Sequence, residues 1–347
     1  MQRCYLDWNA TAPLRPEARA AMIEALGVVG NPSSVHAEGR AAKALVERAR
    51  GAVASALGAD GADVIFVSGA TEAAALACAG RDLLAAPVEH DAVLAWVDPG
   101  LEVDALGQVA VSDAARTALQ LANSETGILQ DLPQGLAVVD ATQGFGKMPF
   151  AFNWAGCTAA LISAHKLGGP KGIGALVVRR GTDVAAQLKG GGQEMGRRAG
   201  TENLVGIAGF AAAAEAAQRD LEAGVWSGVE KLRNILENVI ADGANDTIFV
   251  GKDTPRLPNT ACFACPGWKG ETQVMQMDLA GFAISAGSAC SSGKLRPSGV
   301  LLAMGYDAET ARSAIRVSLG PHVTEADVMR FADCWLRSRA KFGARRA

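Results

Sequence analysis

Ser163, His165 and Lys166 follow an apolar run and precede a glycine-rich loop, in the segment ALISAHKLGGPKGIGALVV. A charged lysine at the end of a buried strand is energetically unfavourable, so its presence suggests that the amine takes part in binding or chemistry. It could bind a phosphate as a point charge, or bond covalently to a carbonyl group. The loop GGPKGIG is not a P-loop, because it lacks the G-K-[ST] ending. The sequence around Lys166 leaves both roles open.

Three other segments carry polar groups that could act with this lysine. Asp140 follows the apolar run LAVV, and a buried carboxylate there needs a cation, either a pyridinium nitrogen or a Lys or Arg side chain. The turn SGATE, with Thr71, could bind a phosphate or simply cap a helix. His90 could stack on a cofactor ring or lie exposed in a loop. A phosphate cup, an acid and a lysine together are what pyridoxal 5'-phosphate (PLP) requires.

Strand and helix signals alternate along most of the chain, which predicts an α/β protein with a largely parallel sheet. Polar residues stand just after the predicted strands, and open α/β sheets bind ligands at that edge. After a helical stretch over 205–241, shorter strands and Pro-containing turns begin. We therefore predict a large domain over 13–245, and a small domain formed by 1–12 and 246–347.

The composition excludes several classes of protein. The chain has 347 residues, of which 49% are hydrophobic, so it can bury a core large enough for two domains. Its formal net charge of -3 offers no basic surface for a nucleic acid. No run approaches the roughly 18 uncharged apolar residues that span a bilayer, and no secretory signal stands at the start, so we expect a cytoplasmic protein without a membrane partner. The seven cysteines are scattered, as expected for reduced thiols.

Nine segments, in order, resemble the signature blocks of the NifS/IscS-type cysteine desulfurases, in the aminotransferase class V group. They are YLDWNATAP, GNPSSVHAEGR, VSGATEAAALA, NSETG, DATQGFGK, SAHKLGGPKGIGAL, GGGQEMGRRAGTEN, GSACSSG and AIRVSLG. The resemblance implies a fold type I PLP-dependent transferase. Its large domain would have a mainly parallel sheet covered by helices, and its smaller α/β C-terminal domain would carry a catalytic cysteine loop. Residues 80–120 are more compact than is usual for the family, so surface helices are expected to be shorter there.

The resemblance also implies a role for each matching residue. Lys166 would hold PLP covalently, Asp140 would pair with the pyridine nitrogen, and His90 would stack on the ring and assist catalysis. Arg316 would clamp the substrate carboxylate. The remaining cofactor contacts would come from Ala70, Thr71, Asn123, Gln143, Ser163 and His165, with Asn123 also beside the substrate and Thr201 reaching the phosphate of the other subunit of a homodimer.

Cys290, in GSACSSG, distinguishes this reaction from a transamination. The resemblance implies that its thiolate takes sulfur from L-cysteine, giving L-alanine and a persulfide for an acceptor protein such as an Fe–S scaffold. Cys262 and Cys265 form a lone C-x-x-C without a second pair, so we predict packing residues and no metal site.

Two alternatives remain at this stage. A selenocysteine lyase or another class V enzyme would share the cofactor site. A non-catalytic Fe–S scaffold protein would use Cys262, Cys265 and Cys290 and would need neither Lys166 nor Asp140.

Overall fold

The computed structural model describes residues 3–287 and 296–344. The strands are β1 (Cys4–Tyr5), β2 (Asp63–Val67), β3 (Ala118–Gln120), β4 (Val138–Asp140), β5 (Ala159–Ser163), β6 (Gly174–Val178), β7 (Ile248–Phe249), β8 (Thr260–Ala264), β9 (Phe282–Ala283), β10 (Ser285–Ala286) and β11 (Ala314–Ser318). The helices are α1 (Pro16–Ala25), α2 (Ala37–Ala56), α3 (Ala70–Cys78), α4 (Asp91–Leu94), α5 (Phe152–Ala155), α6 (Leu204–Glu222), α7 (Val225–Gly243), α8 (Gly270–Leu279), α9 (Gly299–Ala303), α10 (Ala308–Ser313) and α11 (Glu325–Ala344).

The central sheet has five strands in the order β2-β6-β5-β4-β3. β3, β4 and β5 pair in parallel, whereas β6 is antiparallel to both β5 and β2. Four strands therefore run in one direction, and the largely parallel sheet predicted from the sequence is a mixed sheet with one reversed strand. The four carboxyl ends that share a direction meet at one edge.

Helices on one face of this sheet bury apolar stripes. In α2 the buried residues Ala42, Val46, Ala49 and Val53 recur at the spacing of one helical face, and they join the main hydrophobic core. α6 packs against both α1 and α2. β5 and β6 are buried along their whole length, which explains why their sequences read as continuous apolar runs.

A second core lies in the C-terminal part of the chain. It surrounds the sheet β10-β11-β8-β7 and includes the aromatic side chains of Phe263, Trp268 and Trp335. β1 pairs in parallel with β9, so the first residues of the chain lie beside this part. The buried face of α7 also belongs to the second core, although residue 245 was expected to close the large domain. The exact division into two domains stays a prediction.

Two other expectations concern chain segments rather than the sheet. Between α3 and β3 the helical elements are the four-residue α4 and a 3-10 turn over Ala114–Arg116. The expectation that this segment is more compact than in the family stays a prediction. Among the described residues, no helix has the length and apolar character needed to cross a membrane.

Candidate functional site

A cavity of about 600 Å³ opens beyond the carboxyl ends of β2, β4 and β5. This volume lies in the range of small-molecule sites, and the position is the one that open α/β sheets use for ligands. Eight residues predicted from the sequence line it: Ala70, Thr71, His90, Asp140, Gln143, Ser163, His165 and Lys166.

The N-terminus of α3 forms part of the wall. Its N-cap residue, Gly69, has no side chain to accept a hydrogen bond, so the first backbone N–H groups of the helix are left for another acceptor. A Cβ at Gly69 would lie 3.9 Å from Ser163 Oγ, which places this hydroxyl beside the helix end. A Cβ at Gly174 would lie 2.6 Å from the Ile162 carbonyl oxygen, so glycine permits the close approach of β6. Backbone N–H groups, a helix dipole and a hydroxyl together suit a phosphate.

Lys166 follows β5 in a 3-10 turn over Ala164–Lys166. Its Nζ donates to the backbone carbonyl oxygens of Asn9 at 2.7 Å and Ala10 at 3.0 Å. The N-terminal segment therefore holds the amine at the cavity wall. The signature block YLDWNATAP contains both partners, but neither was predicted as a site residue. Every residue type has a backbone carbonyl oxygen, so the sequence does not indicate which of these oxygens accepts a hydrogen bond.

His165 is a neutral imidazole at the same wall. Its Nδ1 lies 3.2 Å from Thr11 Oγ1. Burial, reinforced by the nearby charges of Lys166 and Lys171, lowers the pKa of His165 to about 4. The ring is therefore uncharged near neutral pH and can orient a ligand without adding a positive charge.

Asp140 and Gln143 stand on the turn after β4. The Asp140 carboxylate is half-buried, and its Oδ1 accepts a hydrogen bond from the Thr142 backbone N–H at 2.9 Å. Gln143 is buried, and its Nε2 donates to the Asn9 carbonyl oxygen at 2.9 Å. The cavity thus has an anionic group at the end of β4 and an amide that shares an acceptor with Lys166.

His90 and Asn123 are placed differently. His90 is exposed, lines the cavity and caps α4, with Nδ1 accepting from the Ala92 backbone N–H at 3.1 Å, so the ring proton is assigned to Nε2. Asn123 is buried, and its Oδ1 accepts from the N–H groups of Glu125 and Thr126. That side chain secures a turn next to the cavity, and its predicted contact with cofactor and substrate stays a prediction.

Arg316 lies on β11, where its guanidinium is 3% exposed. One nitrogen donates to the Ser124 carbonyl oxygen at 2.9 Å, and another pairs with Asp7 Oδ1 at 2.7 Å. Nε is buried without a hydrogen-bond partner among the described residues. Ser124 lines the cavity, so Arg316 stands directly behind its wall. The expected role as a carboxylate clamp stays a prediction.

Thr201 lines a second hollow of about 210 Å³, which shares Ser68 and Gly172 with the main cavity. The nearby Arg198 donates through Nε to Glu72 in the first turn of α3, at 2.9 Å. Burial would raise the pKa of Glu72, yet the hydrogen bonds from Arg198 and Ser68 hold it below its usual value. The Thr201 segment is therefore tied to the helix that lines the cavity.

Cys290 lies outside the described residues. Cys262 and Cys265 are fully buried at β8, as expected for packing residues, and burial raises the pKa of Cys262 to about 12. In the described part of the chain, no group of three or more His, Cys, Asp or Glu side chains could hold a metal ion.

The donor set of the cavity fits PLP. The uncapped start of α3 and Ser163 suit its phosphate, Asp140 suits the protonated ring nitrogen, and Lys166 supplies an amine. Groups of these three kinds converge on one cavity although they come from three separate parts of the sequence.

The sequence matches the family model of aminotransferase class-V over residues 4–331. The chain is 37% identical to a cysteine desulfurase of Cereibacter sphaeroides, with 99% of each chain covered. It is 35% identical to an IscS-like cysteine desulfurase of Mycobacterium tuberculosis, with 93% of each covered. The X-ray structure of a NifS-like protein from Rickettsia africae has a TM-score of 0.88 and 29% identity, covering 97% of this chain and 99% of that one. The structure of SspA in complex with cysteine has a TM-score of 0.76 and 25% identity, covering 92% and 100%. These likenesses confirm the predicted fold type I architecture, and the chain belongs to the aminotransferase class-V family.

Proposed function

We propose that this chain is a PLP-dependent cysteine desulfurase, which converts L-cysteine to L-alanine and passes the sulfur to Cys290. The class-V family is PLP-dependent, and relatives that align over nearly the whole chain are cysteine desulfurases. The observation that carries the proposal is the cavity in which Lys166, Asp140 and the start of α3 meet.

Different residues around the cavity bind different parts of PLP. The backbone N–H groups of Ala70 and Thr71, with the Ser163 hydroxyl, bind the phosphate. Asp140 keeps the proton on the pyridine nitrogen, because its carboxylate stabilises a positive charge there. When bound, PLP supplies an electron sink for the electrons left at the substrate Cα.

Binding and proton transfer fall to other side chains. Arg316 attracts the substrate carboxylate, and a guanidinium can bind it through two parallel hydrogen bonds. Lys166 holds PLP before the substrate arrives and then accepts the Cα proton at Nζ. His165 stays uncharged, since its pKa is about 4, so it does not compete with Arg316 for the carboxylate.

Sulfur transfer then uses Cys290. Its thiolate forms a bond to the substrate sulfur, the Cβ–S bond breaks, and the bonding pair stays on the carbon side. Cβ then gains a proton, and Lys166 returns a proton to Cα. One L-cysteine and one thiol therefore give one L-alanine and one persulfide. A thiol near pKa 8.5 is only a few per cent ionised at neutral pH, so a base must assist. His90 can act as that base through Nδ1 once this nitrogen releases the Ala92 N–H. The persulfide passes to an acceptor protein, such as an Fe–S scaffold.

The two alternatives differ in their support. A non-catalytic scaffold would need Cys262 and Cys265 as cluster ligands, and both side chains are fully buried. Nothing in the cavity of the described residues separates selenium from sulfur, so a selenocysteine lyase is distinguished by assay.

The decisive assay measures L-alanine released from L-cysteine by the PLP-loaded protein. We expect continuous release with dithiothreitol, which removes the persulfide, and about one alanine per chain without a reductant. A PLP-loaded protein that releases no alanine above a protein-free control would contradict the proposal. L-selenocysteine is the control substrate, and a preference for it of about a hundredfold or more in kcat/KM would favour the lyase.

We further propose a homodimer in which Thr201 binds the phosphate in the partner subunit's site. Thr201→Val keeps the shape of the side chain but removes its hydroxyl, so PLP affinity should fall by about tenfold, the value of one hydrogen bond to a charged group. Equilibrium titration with PLP measures this loss, with Thr182→Val, which lines neither cavity, as the matched control. Sedimentation at micromolar concentration should give a dimer, and a fully active monomer would refute the proposal.

A further inference from the structure

Lys147 is a buried lysine that the proposed reaction does not use. Its side chain is 1% exposed and lies behind the cavity wall. Nζ donates to Gln143 Oε1 at 2.9 Å and to Asn9 Oδ1 at 3.2 Å. Among the described residues, no carboxylate forms a salt bridge with it. A buried ammonium without a counterion is energetically unfavourable, so the protonation state of Lys147 has to be explained.

The hydrogen bonds of Lys147 match an uncharged amine. A neutral –NH2 group has two hydrogens to donate, and the structure gives Nζ two acceptors, whereas an ammonium would have a third donor to satisfy. Asn9 Oδ1 also accepts from Asn259 Nδ2 at 3.1 Å, so this oxygen has little capacity left. The number of acceptors around Nζ and the absence of a carboxylate partner among the described residues therefore both favour the uncharged form of Lys147.

The charged groups that face Lys147 act in the same direction. Burial, followed by the charges of Lys166 and Arg316, lowers the pKa of Lys147 well below its usual value of 10.5. Arg316 is itself paired with Asp7, and His165 is neutral near pH 7.

The Asn9 carbonyl oxygen and Lys147 together set which way the Gln143 amide points. The Asn9 carbonyl oxygen accepts from Gln143 Nε2 at 2.9 Å and from Lys166 Nζ at 2.7 Å, so Nε2 is on the side of the catalytic lysine. If the amide were reversed, its oxygen would face the Asn9 carbonyl oxygen and its nitrogen would face Lys147 Nζ. The bond to the Asn9 carbonyl oxygen would then be lost, and Lys147 Nζ would have to give up its donated bond and accept one through its lone pair.

We propose that Lys147 is a positioning residue, which as an uncharged amine fixes the Gln143 amide with Nε2 on the Lys166 side, where its remaining hydrogen can be donated to the ligand of the cavity. Identification of that ligand as PLP rests on the proposed function. The protonation state of Lys147 and the orientation of Gln143 do not.

Thermal unfolding of the cofactor-free protein tests the protonation state. In the unfolded chain Lys147 regains a pKa near 10.5 and binds a proton that the folded chain lacks, so stability must rise with pH up to that value. The Tm of the wild type relative to Lys147→Met should therefore increase between pH 7.5 and 9.5, by about 2 °C per pH unit. Lys231→Met, on the exposed side of α7, is the matched control and should show no such trend. A Tm difference that does not change with pH would overturn the proposal.

A second measurement needs no substitution at Lys147. In protein carrying ¹³C at the lysine ε-carbons, one lysine signal should have the chemical shift of a neutral amine at pH 7.5, and it should persist in Lys166→Ala. A spectrum of Lys166→Ala in which every lysine is charged would refute the uncharged amine.

The positioning role is read from the visible absorption of bound PLP during a pH titration. Lys147→Met and Gln143→Leu should shift the midpoint in the same direction, by about 0.5–1 pH unit, and the double variant should shift it little further. A midpoint that moves in Gln143→Leu but not in Lys147→Met would refute the positioning role. None of these measurements uses desulfuration, so an inactive protein with the expected shifts would refute the proposed function alone.

Discussion

Replacing Lys166 with alanine is expected to lower L-alanine release from L-cysteine by at least about 10²–10⁴-fold, the range attributed to a positioned acid or base. The variant loses both the covalent attachment of PLP and the amine that accepts the Cα proton. The fold should survive, because Lys166 lies at the wall of an open cavity, and the Asn9 and Ala10 oxygens that accept from its Nζ belong to the backbone. Alanine release by PLP-saturated protein measures the effect.

The control for this result is Lys231→Ala, which removes an exposed lysine of α7 and should keep wild-type activity. Borohydride reduction of the wild type, followed by peptide mapping, should attach the cofactor to the Lys166 peptide. A label on Lys171, which also lines the cavity, or on Lys147, would show that another amine holds PLP.

The position of the cavity could be predicted from the sequence because strand ends carry the information. Asp140 ends β4 and Ser163 ends β5, and these strands are parallel neighbours, so the residues after them must lie at one edge of the sheet. The turn before Ala70 follows β2, which runs in the same direction. Apolar runs that end in polar residues are therefore sufficient to locate the edge at which a ligand binds.

Strand direction and domain membership could not be predicted in the same way. β6 is apolar and buried on both faces, and such a run is compatible with either direction, so its antiparallel pairing leaves no sequence signal. The apolar residues of α7 recur on one helical face, which predicts that this face is buried but not which core it joins. In the structure this face belongs to the second core.

The hydrogen bonds that join Asn9 to Lys147 and Lys166 behind the cavity wall could not be predicted from the sequence either. Asn9 accepts hydrogen bonds from Lys147 and Lys166, which are far away along the chain. The four-residue spacing between Gln143 and Lys147 was the available signal, because such residues meet when the chain turns helically. A lysine in a short polar segment is usually solvent-exposed, so that signal alone would not have identified a buried amine.

Four cysteines of the described residues are poor candidates for sulfur transfer. Cys78, Cys157 and Cys262 are fully buried, and burial raises their pKa values to about 12, 11 and 12. Because the thiolate is the nucleophile, these groups are almost entirely un-ionised at neutral pH. Cys334 is partly exposed but packs against the second core. The transfer to Cys290, in the block GSACSSG, stays the proposal that the family resemblance implies.

Cys290→Ala should accordingly retain PLP and its visible absorption, since the residues proposed to hold the cofactor are unchanged, while alanine release falls by about 10²-fold or more. Cys334→Ala is the matched control and should keep wild-type turnover, because it removes a thiol outside the cavity. Mass spectrometry after one anaerobic turnover with L-cysteine should find one added sulfur on the peptide that contains Cys290. If the added sulfur is instead on Cys262 or Cys265, or if Cys290→Ala desulfurates L-cysteine at the wild-type rate, then sulfur does not pass through Cys290, and a lyase or another class V activity becomes the better proposal.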